Sequence, residues 1–251
     1  MSYKYKLAVL LGFVIPLVAI ADVSSNTETI TPFSNSNQSV PLSKRGIQLV
    51  PLKLMSIPEA QKEEVLARAL EQKEKGFYET DSEYAKFLLE TPAHAANEIK
   101  SFKANNDPTD THLKANFNEI KLAFSFKGLP SIKKNDIIGY AAIGGWHDGW
   151  TGIKVFFKQN KSVCSYSYFD LAASHGAAQL NQEYATKEVN GKISYIDIEG
   201  NRKSGMLYSV NWFEEKAVHQ LDCANATYNK LFTDGTVALA RQLDKDMSPA
   251  T

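Results

Sequence analysis

The sequence predicts an α+β fold: an antiparallel sheet of about seven strands with a C-terminal helix packed on it, preceded by a small helical region. Two observations carry this expectation. Near Asn118 the hydrophobic repeat shifts from 3.6 residues, the period of an amphipathic helix, to two, the period of a half-buried strand. Beyond that point the apolar segments are joined by short polar turns, and such connections suit antiparallel neighbours.

The elements follow in order. Lys4 and Lys6 precede an uncharged run over residues 7–21 that ends in Ala19-Ile20-Ala21, with small residues where a signal peptidase accepts them. The run has 15 residues and contains Pro16, whereas a spanning helix needs roughly 20. Residues 1–21 therefore read as a cleavable signal peptide, and no later segment is apolar enough to span a membrane. Residues 22–45 are rich in Ser, Thr and Asn and read as a disordered linker, because they cannot bury enough apolar surface to offset the entropy of ordering.

Residues 46–117 read as helical. Ser56-Ile57-Pro58-Glu59 carries a capping pattern, and Val65, Leu66, Ala69 and Leu70 then repeat at helical spacing until Gly76. A second helix is expected after a capping box from Thr80 to Glu83. Thr91-Pro92 is expected to break it and start a third, because proline suits a first helical position. Asn105-Asn106-Asp107-Pro108 marks a loop.

Residues 118–246 carry the sheet and its closing helix. Ile120, Leu122, Phe124 and Phe126 alternate strictly, and strands are expected again over 137–143, 153–157 and 163–169. Asn190-Gly191 is the strongest hairpin signal, between strands over 183–189 and 192–198. Gly200-Asn201 and Glu214-Glu215 mark two further turns. Residues 224–246 return to helix with Asp234 as cap and Val237, Leu239, Ala240 and Leu243 as the apolar side, leaving 247–251 as a tail.

Charge and motifs exclude several functions. Cleavage would remove Lys4 and Lys6 and leave 26 basic against 28 acidic residues, without the basic stripe of a nucleic-acid binder. The sequence has no metal-ligand motif, phosphate loop or dinucleotide fingerprint, so no metal and no cofactor is expected. Cys164 and Cys223 are the only cysteines, and in an oxidising compartment they are expected to pair as a disulfide.

The most unusual local sequence surrounds Trp146, His147, Asp148 and Trp150, where two tryptophans, a histidine and an aspartate crowd a glycine-rich turn. These residues form the candidate binding site, since tryptophan often marks recognition. Neighbouring residues of a strand point to opposite faces, which argues against a His147–Asp148 acid–base pair. Ser174 and His175 are adjacent but lack the sharp elbow a nucleophilic serine needs. His219 alternates with Leu221 and Cys223 and reads as a core histidine, whereas His94 and His112 are expected to face solvent. Glu214 and Glu215 read as solvated turn residues.

Tyr166, Tyr168, Tyr195, Tyr208, Trp212 and Phe213 make the strands aromatic, as either a binding platform or a core. The expected function is that of a non-catalytic periplasmic or secreted protein, a protein-binding module in a cell-envelope or secretion-related assembly. The alternatives are a small-ligand or lipid carrier with its pocket between sheet and closing helix, and an extracytoplasmic hydrolase using the 146–150 loop.

Overall fold

The structure, a computed structural model, describes residues 46–101 and 112–247, with side chains for all of these except 93–101. The signal peptide expected over 1–21, the linker over 22–45, the loop over 105–108 and the His94 side chain lie outside the described residues.

The chain runs β1 (Gly46–Val50), α1 (Glu59–Lys75), β2 (Tyr78–Glu79), α2 (Glu83–Ser101), β3 (Ile137–Trp146), β4 (Trp150–Gln159), β5 (Ser162–Asp170), β6 (Ala177–Asn181), β7 (Thr186–Val189), β8 (Lys192–Asn201), β9 (Gly205–Glu214), β10 (Ala217–Asn225) and α3 (Lys230–Met247). The fold is α+β. A mostly antiparallel eight-stranded sheet has the order β2-β8-β9-β10-β5-β4-β3, with β7 also on β8. Beside it, β1 and β6 form a parallel pair. The turns act where the chemistry allows: Asn190 and Gly191 take φ 48° and 80°, the left-handed pair a tight hairpin requires.

Both faces of the large sheet are covered. On the first, Val155, Phe157, Tyr166, Trp212 and Leu221 pack against Val237, Ala240 and Leu243 of α3. The Cys164–Cys223 disulfide lies within this core and joins directly opposed residues of β5 and β10, with Cα atoms 4.0 Å apart. On the second face, Ala85 and Leu88 of α2 cover Phe156, Val163 and Leu207, while Ala178 and Leu180 of β6 cover Phe213 and Val218.

α1 lies along the exposed side of β8, in the gap that β2 and β7 leave. An unpaired strand edge is open to further pairing. Here the Gln72 side chain fills the place of a strand: its Nε2 donates to the Ile196 carbonyl at 2.8 Å, and its Oε1 accepts from the Ile198 amide at 3.0 Å.

Several expectations need correction. The alternating segment from Ile120 to Phe126 forms no ladder and touches the sheet through one bridge, Leu122 to Trp150. Its apolar side chains still pack on the α3 face, because a two-residue period belongs to any extended chain laid on a surface. The second and third helices are one, with Pro92 inside α2 and the Thr91 hydroxyl donating to the Phe87 carbonyl at 2.7 Å. β1 stands within the stretch expected to be helical; its five-residue run is too short for helical periodicity to identify.

Caps also move. Pro58 begins α1 without a side-chain cap, and Ser82 rather than Thr80 accepts from the Ala85 amide. Asn229 rather than Asp234 caps α3, accepting from the Leu231 amide at 2.9 Å. Gly76 ends α1 as expected, in the left-handed conformation.

Candidate functional site

The β3–β4 turn places the four residues singled out above at one tip of the sheet. Trp146 and Trp150 are opposed across the hairpin, with ring centroids 5.9 Å apart in an edge-to-face contact. Lys121 Nζ lies 5.7 Å from the Trp146 ring centroid and 2.6 Å from Asp148 Oδ1. This ion pair holds the Asp148 carboxyl below its ordinary range, although 94% of that side chain is exposed. The His147 ring instead faces His175, 6.4 Å away between centroids. The loop thus brings together two tryptophans and two exposed histidines, but it does not join His147 to Asp148.

Ser174 donates to the Leu171 carbonyl at 3.3 Å and makes no bond to His175. His219 is a core residue. Its Nδ1 lies 2.8 Å from the Tyr166 hydroxyl, and its ring stacks on Trp212 at 4.9 Å. His112 is exposed. Glu214 departs from its expected solvated state. The His219 ring at 3.6 Å and the Lys192 ammonium at 2.5 Å pull its pKa down to about 2. The strand aromatics form core on both faces: Tyr166, Tyr208 and Trp212 are buried toward α3, Tyr195 and Phe213 toward β6. They do not form an exposed platform.

Between the two apolar patches of the second face runs a polar band. Ser165, Asp222, Ser209 and Asp197 lie in register across β5, β10, β9 and β8. Lys154 Nζ donates to the Tyr84 hydroxyl at 2.9 Å, and that oxygen lies 2.8 Å from Ser165 Oγ. A serine, a tyrosine and a lysine in sequence suggest an activated nucleophile. Two observations oppose it. Ser165 is 0% exposed, and burial raises the Tyr84 pKa, which keeps the phenol protonated and unable to act as a base. The band ties α2 to the sheet.

At the β8 end this band opens into a cavity of about 460 Å³ under α1, within the size range of small-molecule sites. Leu52, Met55, Val65, Ala69, Ile196 and Ile198 supply apolar walls. Asn181, Thr233 and Asp197 supply polar ones. Asn181 Nδ2 and Thr233 Oγ1 are buried without a hydrogen-bond partner, a condition that is costly unless something else satisfies them. Asp197 is half-buried. Burial raises its pKa to about 7, Glu199 adds to the rise, and Arg68 opposes it.

No family model matches this chain, and no curated protein or solved structure matches it significantly. The site is therefore read from its own geometry. The carrier pocket expected between sheet and closing helix is filled by Val237, Ala240 and Leu243. The cavity lies at the β8 edge, where α1 and the first turns of α3, through Lys230, Thr233 and Asp234, complete its walls. Its only sequence signal is Asp197, a carboxylate between Ile196 and Ile198, which strand alternation alone assigns to a solvated face. Among the described residues, no cluster of three or more His, Cys, Asp or Glu is placed to hold a metal ion, and no helix is long and apolar enough to cross a membrane.

Proposed function

We propose that this chain is a non-catalytic periplasmic or secreted binding protein that holds a small, largely apolar ligand in the cavity between α1 and β8. The observation that carries this reading is a cavity of about 460 Å³ walled mainly by the apolar side chains of Leu52, Met55, Val65, Ala69, Ile196 and Ile198. The disulfide supports an oxidising compartment. Titration with N-phenyl-1-naphthylamine, a neutral fluorophore that brightens in apolar sites, tests it. Saturable 1:1 binding is expected, and Ala69→Trp, which fills the cavity, should weaken it at least tenfold without changing the circular dichroism. Non-saturable binding, or binding indifferent to Ala69→Trp, overturns the proposal.

A second reading is a protein-binding module of a cell-envelope or secretion-related assembly. The outer surface of α1 favours it: no α1 residue is buried, and Leu66 and Leu70 are 44% and 61% exposed. Replacing both leucines with serine should abolish cross-linking to a defined envelope protein while leaving fluorophore binding intact.

A further inference from the structure

The cavity has one charged group in its wall, Asp197, that the fold leaves without a hydrogen bond or ion pair and that Arg68 favours only from a distance. Arg68 also lines it, but its guanidinium is engaged by Glu64 at 2.9 Å and Glu199 at 3.3 Å. Lys73, Lys230 and Asp234 stand exposed at the rim. Asp197 accepts no hydrogen bond and forms no ion pair among the described residues, yet it is half-buried in the cavity wall. The groups that act on it are Arg68 from α1, Glu199 on its own strand and Asp222 from β10. β9 presents only Ser209 opposite it.

A half-buried carboxylate without a hydrogen-bond donor is costly to ionise unless a counter-charge arrives. The rings of Tyr184, Tyr195 and Tyr228 also line the cavity, and aromatic faces attract organic cations. We infer that the ligand is a cationic amphiphile, an alkylammonium whose charged head pairs with the Asp197 carboxylate and whose apolar tail lies against Leu52, Met55 and Val65. This inference rests on the ligand-binding reading above.

A pH dependence follows. The free carboxyl titrates near pH 7, and a bound ammonium holds it ionised, so binding releases a proton below that pH. Affinity for a cation that stays charged should therefore be about tenfold higher at pH 8 than at pH 6. Affinity for an alcohol of the same length should not rise.

The experiment is displacement of N-phenyl-1-naphthylamine by octylammonium, octanol and octanoate. Octylammonium is expected to displace it at a concentration at least tenfold below octanoate and below octanol at pH 8. Asp197→Asn should remove both the advantage over octanol and the pH dependence. Equal or better displacement by octanoate overturns the inference, as does an octylammonium affinity that is flat with pH in the unaltered protein, which needs no variant to fold. If the fluorophore itself fails to bind, or ignores Ala69→Trp, it is the underlying cavity reading that has failed.

Discussion

At the scale of single residues, two carboxylates with opposite environments make opposite predictions. Asp197 has its pKa raised from 3.8 to about 7, so the folded state holds its proton more tightly than the unfolded chain does. Its contribution is favourable below about pH 4 and is lost as pH rises to 7. Asp197→Asn should thus stabilise the protein at pH 8 by on the order of 2 kcal/mol and leave it nearly unchanged at pH 4, measured by urea denaturation at both. Glu214, lowered from 4.5 to about 2, behaves in reverse: its stabilisation is present above pH 4.5 and disappears as pH falls toward 2. Glu214→Gln should therefore flatten the acid limb of the same profile. Neither environment was legible in the sequence. Asp197 sits in an ordinary alternating strand and Glu214 in an ordinary turn; the groups that act on them, Arg68 and Lys192 among them, come from elsewhere in the chain.

At the scale of elements, local chemistry was the best guide where it was decisive. Gly76 stops α1 because the backbone there turns left-handed, and Asn190-Gly191 turns β7 into β8 for the same reason. Proline chemistry predicts a break at Pro92, yet α2 continues through it, since packing of Ala85 and Leu88 on the sheet outweighs one lost backbone bond. The alternation from Ile120 to Phe126 predicts a strand and is real, though a single bridge, Leu122 to Trp150, joins this extended segment to the sheet.

α1, which has no buried residue, makes the sharpest prediction. Gln72 bonds to the β8 backbone at both Ile196 and Ile198. Gln72→Ala should cost about 1–2 kcal/mol and speed hydrogen exchange at the Ile198 amide, whereas the Val210 amide in central β9 should exchange as before.

At the scale of the whole molecule, the disulfide links two central strands across a separation of 59 residues. The chain-entropy argument gives such a closure about 4 kcal/mol, by restricting the unfolded chain. Reduction, or replacement of both cysteines by alanine, should lower stability by that order in equilibrium denaturation. A midpoint that does not move would mean that the paired strands, with Trp212 and Tyr166 packed beside the bond, already supply the restraint.

By itself the sequence determined what is local: the α+β class, the change of period near Asn118, the hairpin at Asn190-Gly191, the closing helix and the presence of a cysteine pair. These rest on backbone preference and on periodicity, which act within a few residues. Only the tertiary structure decided which side of each strand is covered, that α1 guards the β8 edge through Gln72, and that Asp197 ends in a cavity wall rather than in water. The reason is physical. Alternation states that a strand has two faces, but the burial of each face depends on elements far away in the chain, and a cavity is a property of the space between them.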